Sequence, residues 1–170
     1  MFFHEDDYCQ IQLLPLGNWE HLVVEAGKIN GFEIENAVGP GFNDIYLRPD
    51  APRKLSDSQI NVNDIEQILD KSELTRIDGI TTGYGASYRE PCANTTGYGE
   101  KGYVLLYNFK NSIVENIWML IRGGDDRSKE KLCKALFELG HRHNLVLMDW
   151  SQSILTDLRD IDAINEYLNS

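Results

Sequence analysis

Positive charge is what this sequence is short of. Its 170 residues carry 16 Lys and Arg against 27 Asp and Glu, a formal net charge of −11 at neutral pH. Nucleic-acid binding depends on Lys and Arg displacing counterions from phosphates, so this balance argues against direct contact with DNA or RNA. Cysteine is scarce as well. Cys9, Cys92 and Cys133 are odd in number and show no CxxC spacing, which suits reduced thiols in a cytosol better than a disulfide framework. No apolar run approaches the roughly 20 residues of a membrane helix. Met1-Phe2-Phe3-His4-Glu5-Asp6-Asp7 lacks the basic and long apolar regions of a signal peptide, and the expectation is a cytoplasmic chain off the membrane. Nucleophile-elbow, HExxH, Walker A and Rossmann patterns are missing too.

In bulk the chain is ordinary, at 42% hydrophobic and 25% charged, and its length suits one domain with a proper core. The charge is uneven. Residues 1–71 hold 13 acidic and 5 basic side chains (net −8), whereas residues 72–170 hold 14 and 11 (net −3). An acidic surface favours solubility and fast encounter with a basic partner.

The best strand signals lie between Arg76 and Gly123. Tyr103 to Phe109 and Ile113 to Ile121 are rich in β-branched and aromatic residues and are joined by the turn-prone Lys110-Asn111-Ser112. This predicts an antiparallel hairpin at the centre of one sheet, with helices packed on a face of it. Upstream, Thr81-Thr82-Gly83-Tyr84-Gly85 returns as Thr95-Thr96-Gly97-Tyr98-Gly99. These copies read either as glycine-loosened strand ends or bulges flanking a surface loop, or as a Tyr-bearing loop that contacts a partner. They do not fit a phosphate cradle, because the spacing is wrong and the following segment is strand-like.

Elsewhere, Tyr8 to Leu14 alternates as a strand with one wet face. Asn18 can cap a helix that carries Trp19, Leu22, Val23 and Ala26 and is stopped by Gly31. Asp44 to Arg48 reads as a short strand, and Asn63-x-x-Glu66 resembles a capping box. After the turn Gly123-Gly124-Asp125-Asp126, the stripe Leu132, Ala135, Leu136, Leu139 predicts a helix with Gly140 just past its end. Leu145 to Trp150 is a further strand, and Asp160 caps a last helix with Ile161, Ile164 and Leu168 on one face. Without strict βαβ alternation, the fold class is α+β: a single domain, 1–170, with a largely antiparallel sheet and helices packed against it.

Candidate chemistry is thin. His141-x-His143 could place two imidazoles on one side of a strand as metal ligands, or serve a helix C-terminus as cations. No third ligand is close in sequence, and no metal is assigned. His4-Glu5-Asp6-Asp7 in an extended chain would point to alternate sides and not converge on an ion. Cys92, after Pro91 in a loop, is the one thiol placed to react, with Arg89 as its sole basic neighbour in sequence. Cys9 and Cys133 read as small buried hydrophobes. No cofactor and no catalytic residue is assigned, and the chain does not read as an enzyme.

The opening HEDDYCQIQLLP (4–15) and the later DIYLRPDAP (44–52) resemble immunity proteins encoded beside polymorphic toxins in bacteria, including Rhs-associated and contact-dependent systems. The closing VLMDWSQSILTDLRDIDAINEYLNS (146–170), a strand ending in Asp-Trp and then an acidic capped helix, is similar to them. The resemblance implies a small cytoplasmic protein that binds its cognate toxin domain and blocks an active site or essential surface. Such toxins are often nucleases with basic clefts, which agrees with the acidity here. No catalytic residues transfer. On this reading Glu33, Glu35 and Asp44 are candidate steering charges, and Tyr84, Tyr88 and Tyr98 are candidate anchors. The rival expectations are a small hydrolase or transferase with an unrecognised active site, and a ligand-sensing or scaffolding domain.

Overall fold

A computed structural model describes residues 1–85, 87–100 and 102–170. The chain runs β1 (Phe2–His4), β2 (Ile11–Pro15), α1 (Trp19–Asn36), β3 (Ala37–Val38), β4 (Gly41–Phe42), α2 (Val62–Lys71), β5 (Thr75–Ile77), β6 (Thr81–Gly83), β7 (Arg89–Pro91), β8 (Thr95–Glu100), β9 (Tyr103–Lys110), β10 (Ile113–Ile121), α3 (Asp126–His143), β11 (Leu145–Asp149), β12 (Ile154–Asp157) and α4 (Ile161–Asn169). Seven strands form one sheet in the order β12-β11-β2-β10-β9-β8-β5, and every neighbouring pair in it is antiparallel. The predicted hairpin is β9–β10, inside that sheet. Asn111 and Ser112 close it with φ of 51° and 63°, a left-handed two-residue turn whose twist matches the strands it joins.

Alternation along β9 and β10 sends side chains to two buried faces. Leu105, Tyr107, Ile117 and Met119 point to the first, where they pack with Ile65, Ile68 and Leu69 of α2, Leu132, Ala135, Leu136 and Leu139 of α3, and Ile164 and Leu168 of α4. Leu106, Trp118 and Leu120 point to the second, under Phe3 and Ile80. These two belong to a small layer in which β6 pairs in parallel with β1 and antiparallel with β7. Farther along the second face, Leu22 and Ala26 of α1 cover Leu14, Val146, Met148 and Trp150. The architecture is α+β, with one antiparallel sheet between helices on one side and α1 plus the small sheet on the other. Among the described residues no helix is long and apolar enough to cross a membrane.

Four local expectations are corrected. Helix α1 continues through Gly31 to Asn36. A Cβ at Gly27 or Gly31 would meet nothing within 4 Å, so each glycine costs helix propensity alone, about 1 kcal/mol. Gly140 lies inside α3, which ends at Asn144 with φ 52°. The residue is glycine because a Cβ there would lie 2.3 Å from the Leu158 carbonyl oxygen. Residues 44–48 form no strand. Asn61, not Asn63, caps α2, accepting from the Asn63 amide at 3.0 Å.

Candidate functional site

The acidic candidates sit on an arm. After Asn36 the chain turns through the two-stranded β3–β4 ladder and folds back along α1. The Asn43 amide donates to the Asn36 carbonyl at 3.0 Å, and the Phe32 ring lies 6.5 Å from that of Phe42 and 5.6 Å from that of Tyr46. The arm is anchored at Glu25, which is buried and accepts from the Tyr46 hydroxyl at 2.7 Å and from the Lys28 ammonium. Those hydrogen bonds, that from Lys28 above all, hold the Glu25 carboxyl below its ordinary pKa. Glu33, Glu35 and Asp44 are all exposed on this arm. So are Ile34, Val38, Phe42, Ile45 and Leu47, with Leu47 86% exposed. Sequence reasoning places Ile45 and Leu47 in a short strand and does not single out Val38 or Phe42. Their common exposure depends on the chain folding back along α1, which no local period encodes.

The tyrosines divide. Tyr84 and Tyr88 are exposed in the loop between β6 and β7. Tyr84 packs edge-on against the His4 ring at 5.6 Å, and the Tyr88 hydroxyl donates to Glu90 at 2.7 Å. Gly83, at φ 142°, closes this loop, since a Cβ there would lie 2.1 Å from the Tyr88 carbonyl oxygen. Tyr98 is corrected as an anchor. It is 1% exposed, in the core between sheet and helices, because the second copy of the pentapeptide is an interior strand paired on both sides. Tyr84 and Tyr88 belong to the small sheet, not to the arm, so the six candidates do not form one cluster.

A third feature lies beside β2 and β10 of the main sheet. A cleft of about 560 Å³ is bounded by Tyr8 and Cys9 on one side and by Trp150 and residues 48–51 and 53–56 on the other. Gln12, Glu115 and Asn116 also line it. The three stretches that carry the resemblance meet here: Tyr8, Cys9 and Gln12 from the first, Arg48 to Ala51 from the second, and Trp150 from the third. The walls are tied together, the Trp150 amide donating to the Gln10 carbonyl at 2.9 Å. Cys9 adopts φ 54° at the turn into β2. Burial pushes its thiol up to about 11 and, with Cys9 beside it, the Tyr8 phenol up to about 12. Both are neutral at physiological pH, and neither is primed as a nucleophile or base.

The histidine pair falls in the last turn of α3 rather than on a strand, and residues two apart on a helix do not face each other. His141 packs on Phe137 at 4.3 Å between ring centroids, while burial lowers the pKa of His143. Cys92 is partly buried against the small-sheet core, and desolvation raises its pKa. Among the described residues no three His, Cys, Asp or Glu side chains are grouped to hold a metal. No protein-family model, no curated protein and no solved structure matches the chain.

Proposed function

We propose that the chain is a cytoplasmic immunity protein that binds a basic, nuclease-like toxin domain and occludes it, with the arm as the contact. The observation that carries this reading is where apolar surface is left uncovered. Thirteen large hydrophobic residues are exposed among the described residues, and eight of them (Trp19, Val23, Val24, Ile34, Val38, Phe42, Ile45 and Leu47) fall within residues 19–47. The same stretch carries five carboxylates and one lysine. Concentrated exposed apolar surface with a polar rim is the usual mark of a protein-binding face.

The division of labour is physical. Glu33, Glu35 and Asp44 raise the encounter rate with a cationic surface, and Phe42, Ile45 and Leu47 slow dissociation by burying against it. An interface of roughly 1,200–2,000 Å² is enough for tight binding. Occlusion asks for no catalytic group. The test is inhibition of the purified toxin domain encoded beside this chain. Activity falling to zero at one equivalent, with a complex recovered by size exclusion, supports the reading. Full toxin activity at a several-fold excess of the chain contradicts it.

A further inference from the structure

In a chain of net charge −11, the cleft gathers three cations beside two carboxylates, one of which, Asp50, acts electrostatically on Arg48. Arg48, Arg53 and Lys54 line it, with Asp50 and Glu115 as the carboxylates of the same lining. Among the described residues none of the three cations forms an ion pair, whereas Arg76, Arg122, Lys131, Arg142 and Arg159 all do. Unpaired surface cations are common singly. Three cations lining one concavity against two carboxylates leave the lining one positive charge in excess, which a bound anion offsets.

Two of them are held in place. The Arg53 backbone is fixed from both sides by the Asn18 side chain, and its guanidinium lies across Gly17, where a Cβ would come within 2.6 Å of Nη1. Arg48 is stacked over the Trp150 ring at 4.0 Å, a contact that orients the guanidinium while leaving its N–H groups free. A smaller hollow of about 350 Å³ on the other side of Arg53 is lined by Arg142 and His143 and by no carboxylate. Arg142 is ion-paired with Glu138 and His143 is held towards its neutral form, so Arg53 is the cation that the two hollows share.

The sheet supplies a polar group as well. Gln12 sits on β2 in one row with Trp118 and Met148. Its half-buried amide has no hydrogen bond within the chain among the described residues, although both neighbours in the row are core residues. The donor and acceptor of this amide are therefore open to solvent or to a molecule seated in the cleft.

We propose that this cleft binds a small metabolite bearing a phosphate or carboxylate group. Arg48, Arg53 and Lys54 hold the oxyanion by charge-assisted hydrogen bonds, and Gln12 bonds a polar group of the remainder. The volume falls within the roughly 300–1,000 Å³ typical of small-molecule sites. The site adjoins the arm at Leu47-Arg48, but its ligand is a small molecule and not the toxin partner.

The test is a titration of the full chain with inorganic pyrophosphate and, separately, citrate. Arginine Nε–Hε and glutamine side-chain amide resonances are followed by NMR, with ionic strength held constant by sodium chloride. The site predicts saturable shifts at Arg48, Arg53 and Gln12 with one or both probes, little movement at Arg76 and Arg159, and binding at least about tenfold weaker in the Arg48→Gln/Arg53→Gln double variant. Gln12→Leu, which leaves the cations in place, weakens citrate or pyrophosphate binding while the rest of the spectrum stays native. A stronger response to pyrophosphate assigns a phosphate ligand, and a stronger response to citrate a carboxylate. The proposal is overturned if neither probe saturates, if Arg159 moves as far as Arg48, if the double variant binds equally well, or if a hexaglutamate peptide saturates the site where both small probes fail.

Discussion

Asn18 and Arg53, 35 positions apart, are joined by reciprocal hydrogen bonds. The Asn18 amide donates to the Arg53 carbonyl and its oxygen accepts from the Arg53 amide, both at 2.9 Å. Asn18 is 1% exposed, so a side chain placed to cap α1 instead pairs like a one-residue strand with the loop that walls the cleft. Asn18→Ala removes both bonds and leaves a part-buried backbone donor and acceptor of Arg53 without their partner. A loss of about 2–3 kcal/mol in urea unfolding is expected, with faster amide exchange at Arg53. Unchanged stability and exchange would mean that this clamp does not hold the loop.

Two helix glycines should respond in opposite directions to the same substitution. At Gly140 a Cβ collides with the Leu158 backbone, so Gly140→Ala should destabilise by about 1–3 kcal/mol. At Gly27, exposed within α1 with nothing within 4 Å, Gly27→Ala should stabilise by about 0.5–1 kcal/mol. Chemical denaturation of the pair, at a common m-value, checks both signs.

Alkaline pH should weaken the fold through the Tyr8–Cys9 turn. Both groups are neutral when protonated, and folding raises both pKa values, Cys9 from 9.0 to about 11 and Tyr8 from 10.0 to about 12. The folded chain thus retains protons that the unfolded chain has released. The stabilisation is complete below the unfolded pKa of the thiol and declines as pH rises through the window between unfolded and folded values. Urea midpoints measured from about pH 8 to about pH 11 should fall, and the fall should be shallower in Cys9→Ala. An identical slope in the variant would exclude the thiol as a source.

The arm should separate rate from stability. The Glu33→Lys/Glu35→Lys/Asp44→Lys variant should unfold at the wild-type midpoint, since all three side chains are exposed. It should associate with the basic toxin domain about tenfold more slowly or worse at low salt, with most of the loss gone at high salt. An unchanged association rate in stopped-flow mixing would remove these carboxylates from the encounter surface.

The legible parts of the fold were those where one period governs one element. The β9–β10 hairpin announces itself by alternation and by Asn111-Ser112, and α3 and α4 by apolar stripes that meet the sheet. Identical local sequence misled where pairing decided the outcome. Tyr84 and Tyr98 occupy equivalent places in the echoed pentapeptide, yet one follows a three-residue strand into a loop and the other lies between two partner strands. Helix α1 outran its predicted end because Gly31, with open space around its Cβ position, lowers helix propensity without breaking the helix. For the candidate site, the exposure of Glu33, Glu35 and Asp44 followed from polarity, but their grouping with Phe42, Ile45 and Leu47 depended on the chain folding back along α1. The cleft was invisible for a related reason, being assembled from segments around residues 8–12, 48–56, 115–117 and 150 that no local pattern links.

The immunity reading turns on growth of cells producing the neighbouring toxin domain together with this chain. Wild-type chain should restore growth. The Phe42→Ser/Ile45→Ser/Leu47→Ser variant, shown to be folded and equally abundant, should not. Growth restored equally by that variant would contradict the arm as the contact, and no rescue by the wild-type chain would contradict the immunity role itself.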